Sequence, residues 1–272
     1  MFHWAKVRHD DGAERTLLAA LDSGLTREAL NRLIFGSLQE RVYADGGHAL
    51  DLSNKAFELL DLVGWEQSAE IFPLIVEYLT QSQSEEERGA WRAPRDLIEL
   101  IREAEQDLSN RPLAMRPEAF CRPDFYRELL EEDPRAILSS ITAAITDGVP
   151  PVEITRHLTL AAAWRLARFP ESNDIDDWSG PMHTFSLGHP EPDLVDTLTF
   201  ATVREDLDFH KLQVIEAGVT QAQVWRPGGI ERELLYTAVA RYLAAHCPTR
   251  RSSSQSVAVA LRLHEGEEIY FG

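Results

Sequence analysis

The stretch SGLTREALNRLIFGSLQERVY, residues 23–43, has the pattern that decides the fold. Thr26 belongs to the residue types that cap the N-termini of helices, and Glu28 follows in the first turn, where negative charge is favourable. Apolar residues then recur at the spacing of one helix face. The stretch therefore predicts an amphipathic helix.

The same periodicity continues along most of the chain, whereas the alternation typical of strands is scarce. Pro73 is expected to kink or restart the helical segment in which it lies. We therefore predict an all-α fold, a compact multi-helix domain of two packed helical halves. Helical segments are predicted at 14–21, 23–43, 50–65, 65–83, 94–109, 134–148, 150–169, 193–225 and 229–247, with a short final helix after them.

A proline-rich segment marks the joint between the two halves. Four prolines fall between Asn110 and Arg135, and such clusters are typical of loops. A chain of 272 residues can form one core or two. We predict a single domain over 1–272, with sub-layers 1–110 and 135–272.

The charge balance excludes some classes of partner. The chain has 27 Lys plus Arg against 45 Asp plus Glu, for a formal charge of −18, which opposes nucleic acid and anionic membrane surfaces as partners. No apolar run reaches the roughly 18 residues that a membrane span needs, and the first residues lack the apolar core of a signal peptide. We expect a cytoplasmic protein with no membrane and no nucleic-acid partner.

The cysteines and several missing motifs limit the chemistry. Cys121 and Cys247 are the only cysteines, and neither lies in a C-x-x-C spacing, so a zinc ribbon and an intrinsic iron–sulfur cluster are excluded. The chain has no H-E-x-x-H, G-x-S-x-G, G-x-G-x-x-G or P-loop motif. It also lacks the Glu-x-x-His pairs of di-iron bundles.

His48 is the first of four candidate histidines among the nine in the chain. Asp51, Lys55 and Glu58 follow it at helical steps of three and four, so these side chains share one helix face. The face could hold a metal or do acid–base work. A solvated face of salt bridges explains Lys55 and Glu58 equally well.

His210 is the second candidate. Asp206 precedes it by one helical turn, and a carboxylate there can orient the imidazole and raise its basicity. Glu216 lies about 240° further round the helix. The alternative is a surface histidine between acidic residues.

His183 and His246 complete the set. His183 lies in the loop DDWSGPMHTFSLGHP, residues 176–190. The loop combines Trp, Met and Phe, which favour packing, with Gly and Pro, which favour a rigid loop, and loops on a helical scaffold often carry function. His246 ends a helix, where the helix dipole alone can explain a histidine. Two others have simpler explanations: His157 precedes an apolar segment and is explained as a satisfied core histidine, and His189 is expected to face solvent.

The chain resembles the all-helical region that accompanies Rieske [2Fe–2S] domains in actinobacterial proteins, and more distantly the questin oxidase-like family, which is associated with oxidative ring cleavage. The specific pieces are the His-Thr-Phe loop at His183, Glu205-Asp206-x-x-Phe209-His210 and Arg241-Tyr242-Leu243-Ala244-Ala245-His246. The resemblance implies that His48, His183, His210 and His246 belong to functional motifs. The Rieske ligand pairs Cys-x-His and Cys-x-x-His are missing, so an electron-transfer partner would be a separate protein. The longer matching stretches are DGGHALDLSNKAFELLDLVGWEQ, WRAPRDLIEL, AAAWRLARFPESNDIDDWSGPMHTFS, REDLDFHKLQVIEAG and RYLAAHCPTRRSSSQSVAVALRLHEGEEIY.

These observations predict an oxidoreductase, oxygenase-like in type, that acts on a small organic substrate in a histidine-rich pocket between helices. The expected cofactor is iron or zinc, since neutral imidazoles can ligate either. Two alternatives stay open: a non-enzymatic helical module that docks a Rieske-type or other redox partner, and a cofactor-free cyclase or isomerase. The candidate metal ligands are His48, His183, His210, His246 and Glu216, and the candidate catalytic residues are His210, Asp206 and Asp51.

Overall fold

The structure is a computed structural model. It describes residues 1–39, 47–81, 97–111, 116–167, 188–204, 209–246 and 252–266. These ranges consist of helices, turns and loops and contain no strand. The predicted all-α fold is confirmed.

The chain divides into two compact units, Met1–Pro112 and Leu113–Gly272. The division falls inside the proline-rich segment 110–135 at which the sequence places the joint. That the two halves form one domain stays a prediction.

The first unit contains seven described α-helices and two short 3₁₀ helices. The 3₁₀ helices are Trp65–Gln67 and Phe72–Ile75. The α-helices are α1 (Phe2–Val7), α2 (Asp10–Asp22), α3 (Arg27–Leu38), α4 (His48–Val63), α5 (Ser68–Ile71), α6 (Val76–Thr80) and α7 (Leu97–Ser109).

The second unit contains six described α-helices and one described 3₁₀ helix, Phe125–Leu130. The α-helices are α8 (Pro134–Thr146), α9 (Pro151–Ala167), α10 (Glu191–Arg204), α11 (Phe209–Ala222), α12 (Ile230–His246) and α13 (Ser252–His264).

The helix ends of the first unit show how local sequence sets its elements. The Thr26 hydroxyl accepts a hydrogen bond of 3.3 Å from the backbone N–H of Ala29, so the predicted cap of α3 is confirmed. Pro73 lies in the 3₁₀ helix between α5 and α6, so the helix restarts there as expected. The predicted first helix at 14–21 was too short: α2 begins at Asp10, because the N–H of Gly12 donates to Nδ1 of His9 at 2.9 Å.

The core of the first unit is an apolar cluster. Leu17, Ile34, Leu60 and Phe72 are fully buried in it. The rings of Phe72 and Phe57 meet edge to face with 5.1 Å between their centroids. Burial of such side chains from α2, α3, α4 and the 3₁₀ helix holds these elements together.

The second unit is built around α12. Both α9 and α11 pack on this helix, which buries Leu235, Tyr236 and Val239. Gly218 of α11 allows the close approach to α12, because a Cβ atom at that position would lie 2.0 Å from Cγ2 of Val239. This packing positions the cavity described below.

None of the described helices has the length and apolar character needed to cross a membrane.

Candidate functional site

The second unit contains a cavity of about 490 Å³. Small-molecule sites in proteins typically have volumes of roughly 300 to 1,000 Å³ and apolar walls with few polar groups. The cavity is lined by residues of α9, α11 and α12. The lining residues are Thr159, Ala162, Ala163, Arg165, Leu166, Val214, Ala217, Gly218, Gln221, Leu235, Ala238 and Val239.

The walls follow from the spacing of small residues on two helices. On α9, Ala162, Ala163 and Leu166 fall at steps that share one face, and Val214, Ala217 and Gly218 do so on α11. Alanine and glycine leave space where longer side chains would fill it. Because α9 and α11 both pack on α12, their small faces border the same space.

Three polar residues are among the described residues that line the cavity. Thr159 is half-buried, and its hydroxyl donates a hydrogen bond of 3.1 Å to the carbonyl oxygen of Thr155. Gln221 is half-buried. Arg165 is exposed, and its Nη2 donates to the carbonyl oxygen of Leu130 at 3.2 Å. Arg165 is the one charged residue among the described residues that line the cavity, and nearly all of the lining surface is apolar.

His157 lies on the other side of α9. Leu166 in the cavity wall follows His157 by about two and a half helical turns, which places the two on opposite faces. The His157 side chain is 2% exposed, and its Nδ1 has no hydrogen-bond partner among the described residues. Its ring lies edge-on between Phe125 and Trp225, with 5.6 Å between ring centroids on each side.

Burial lowers the pKa of His157 below its usual range, and the negative charges of Glu153, Glu231 and Asp124 oppose that shift. Glu153 itself is 8% exposed and forms an ion pair with Arg156 one turn along α9. Burial is the larger effect on His157, so the imidazole is held in its neutral form. Nearby, burial and the charge of Glu153 raise the pKa of the Cys121 thiol, which keeps this cysteine protonated.

A polar network ties α10 to α12 beside this region. Arg232 Nε donates to both carboxylate oxygens of Glu191 at 2.9 and 2.8 Å, and its Nη1 donates to the carbonyl of Trp225 at 3.2 Å. The buried Tyr236 hydroxyl donates to Glu191 at 3.2 Å. Hydrogen bonding to Glu191 raises the pKa of Arg232, and burial raises the pKa of Tyr236. The network fixes the turn that presents Trp225 to His157.

Two of the predicted site residues lie in the first unit. His48 is the first residue of α4, and Asp51 lies in the first turn of the same helix; both are half-buried. Lys55 and Glu58 form a salt bridge of 2.7 Å further along this helix. That pair matches the solvated ion-paired face that the sequence left open.

The other predicted residues belong to the second unit. His210 is exposed near the start of α11, with its ring centroid 4.3 Å from that of Phe209. Glu216 is exposed and accepts a hydrogen bond of 2.9 Å from the Thr220 hydroxyl. His183, Asp206 and the side chain of His246 lie outside the described residues.

Convergence of the predicted ligands therefore stays a prediction. Among the described residues, no group of three or more His, Cys, Asp and Glu side chains has an arrangement that could hold a metal ion. His189 is exposed, as expected. His157 is a core residue, as the sequence indicates, but the description of it as satisfied was wrong, because its Nδ1 lacks a partner among the described residues.

Sequence reasoning missed the cavity. It treated 150–169 as an apolar helix and passed over the small residues within it. The available signal was the repetition of a small-residue face on both α9 and α11, at Ala162 and Ala163 and again at Ala217 and Gly218. Only the packing of both helices on α12 turns those faces into one space.

Comparison of the chain with known protein families, curated proteins and solved structures finds no match. The resemblance to the helical region that accompanies Rieske domains and to the questin oxidase-like family stays a prediction.

Proposed function

We propose that the second unit binds a small, largely apolar organic molecule in the cavity between α9, α11 and α12. The cavity volume of about 490 Å³ is the observation that carries this proposal. The cavity is open to solvent, since Ala162 and Ala217 in its lining are exposed, and an apolar hollow of this size is typical of a small-molecule site. A bound apolar molecule would recover the contacts that the cavity walls otherwise lack.

The wall composition supports an apolar ligand rather than a sugar or a nucleotide. Alanine, valine and leucine side chains make up most of the lining. A ligand rich in hydroxyl or phosphate groups would lose hydrogen bonds to water without replacement at such walls. An aliphatic or aromatic skeleton gains free energy in proportion to the apolar area that it buries.

A thermal-shift experiment tests this proposal on the full chain. Decanol is the apolar probe, and a ligand that binds the folded state raises the melting temperature as its concentration rises above Kd. Ala162→Phe should abolish the shift. Ala162 lines the cavity and is exposed, so the larger side chain enters the cavity space. The matched control is Ala143→Phe, at an exposed position of α8 outside the cavity lining, which should keep the full shift.

The proposal fails if decanol gives no concentration-dependent shift with the unmodified protein. It also fails if Ala162→Phe and Ala143→Phe respond to decanol in the same way.

The oxidoreductase hypothesis extends the binding proposal and rests on the sequence motifs. It assigns His48, His183, His210, His246 and Glu216 to an iron or zinc ion, with Asp51 and Asp206 as carboxylates near it. Metal analysis of protein purified without added metal tests it. The hypothesis expects stoichiometric metal that falls when His210 or His48 is changed to Ala, and metal-free protein would overturn the metal-dependent version. A separate Rieske-type protein stays the proposed electron donor.

A further inference from the structure

We infer that two copies of this chain associate by placing helix α13 of each copy in the cavity of the other. The inference goes beyond the proposed function, because it adds a protein partner for the same apolar surface. A docked helix and a small molecule compete for the cavity, so each copy binds one or the other at a given time.

The shape of the cavity is the first observation, since the cavity is an open trough between helices. Ala162 of α9 and Ala217 of α11 belong to its walls and are exposed, whereas Ala238 and Val239 of α12 are buried at its floor. Small side chains on the walls leave room for the side chains of another helix. An apolar trough of this kind is a surface on which an amphipathic helix packs.

The surface of α13 is the second observation. Val257, Leu261 and Leu263 of this helix are 58%, 56% and 56% exposed. Val257 and Leu261 lie one helical turn apart and share a face. A helix with so much apolar surface is normally buried against another element, and the described residues that line the cavity of the same copy do not include α13. One copy therefore presents both an apolar helix and an apolar trough.

The distribution of charge is the third observation, and it selects the partner. Residues 248–264 include Arg250, Arg251 and Arg262 but no Asp or Glu, in a chain with a formal charge of −18. This basic segment is attracted to the acidic remainder of a second copy. An anionic membrane is the other usual surface for a basic, apolar helix, and the charge of the whole chain opposes it. A second copy of this chain offers both the negative charge and the apolar trough.

Reciprocal docking gives a closed dimer. Each copy has one α13 and one cavity, both in the second unit, so a two-fold exchange occupies both surfaces of both copies. The helix contact is then made twice, which brings the buried area closer to the roughly 1,200 to 2,000 Å² of stable interfaces.

Sedimentation velocity of the full chain over a range of concentrations tests the inference. We expect a dimer for the unmodified protein. Leu261→Asp and Ala217→Asp should each weaken association at least about tenfold, because each buries a carboxylate in the docked contact. The matched controls are Leu62→Asp, at a leucine of α4 that is 84% exposed, and Ala143→Asp, at an exposed alanine of α8 outside the cavity lining. Both controls should stay dimeric. All four positions are exposed within one copy, so the substitutions leave its fold intact.

Three outcomes overturn the inference. The first is a monomeric unmodified protein. The second is a dimer that Leu261→Asp dissociates and Ala217→Asp does not, because α13 then docks elsewhere. The third is a dimer that the controls dissociate as strongly, because the effect is then one of added charge. A thermal shift with decanol, measured on Leu261→Asp, separates this inference from the proposed function: its absence overturns small-molecule binding alone, and its presence in a chain that never dimerises overturns the dimer alone.

Discussion

At the scale of single residues, His157 is a buried titratable side chain held between two aromatic rings. Burial lowers its pKa, and Nδ1 has no described hydrogen-bond partner. When the folded pKa lies below the unfolded value of about 6.5, the unfolded chain binds more protons as the pH falls. The stability tied to neutral His157 is therefore complete above that pH and is lost as the pH falls through the folded pKa.

His157→Phe should remove this pH dependence. We expect the unmodified protein to lose stability relative to this variant between about pH 7.5 and pH 5. Only the unmodified protein has an imidazole that stays neutral in the folded state and binds a proton in the unfolded state. Urea unfolding at both pH values measures the difference. His189→Gln, at an exposed histidine, is the control and should follow the unmodified protein. Parallel pH profiles for all three proteins would contradict the account of His157.

Residue-level sequence reasoning was reliable where the cause is local. The Thr26 cap needs only the hydroxyl and the N–H three residues on, so composition and position predict it. The state of His157 depends on Phe125 and Trp225, which are distant in sequence. A local sequence pattern does not indicate whether the residue that contacts His157 is an aromatic ring or a hydrogen-bond acceptor.

At the scale of elements, the contact between α11 and α12 depends on Gly218. A Cβ atom there would lie 2.0 Å from Cγ2 of Val239, so Gly218→Ala must push the helices apart or shift Val239. We expect a loss of about 1 to 3 kcal/mol in the free energy of unfolding, the range of overpacked cores. Gly188→Ala is the control, because apart from its chain neighbours no atom of the described residues lies within 4 Å of its Cβ position. Chemical denaturation of both variants decides the point, and equal stabilities would refute the close approach.

The link between α10 and α12 depends on the pair formed by Arg232 and Glu191, whose side chains are 15% and 24% exposed. Arg232→Met leaves the Tyr236 hydroxyl as the one described hydrogen-bond partner of the Glu191 carboxylate, and we expect a cost of about 2 kcal/mol, below the value for a fully buried pair. The control is Arg15→Met. Nη2 of Arg15 lies 3.6 Å from Oδ2 of Asp11, and the two side chains are 83% and 75% exposed. Loss of this ion pair should lower the free energy of unfolding by less than about 0.5 kcal/mol. Similar melting temperatures for the two variants would show that the network adds no stability.

At the scale of the whole molecule, periodicity predicted the all-α fold because helices such as α3 and α4 show an apolar face in their own sequence. The proline-rich segment likewise indicated where the chain divides, and the boundary between the two units falls within it. The cavity could not be predicted from the sequence, because the apolar faces of α9 and α11 do not indicate which helix they pack on. Whether the predicted ligands meet stays a prediction, because a shared face on one helix does not indicate contacts between helices.

The central claim is that a small apolar molecule occupies the cavity of the second unit. Methyl NMR of alanine-labelled protein, titrated with decanol, tests this most directly, because the Ala162, Ala217 and Ala238 methyl groups line the cavity. We predict saturable shifts at these three alanines with one dissociation constant, and no shift at Ala143 of α8. Unchanged cavity alanines at saturating decanol, or shifts confined to alanines outside the lining, would contradict the claim.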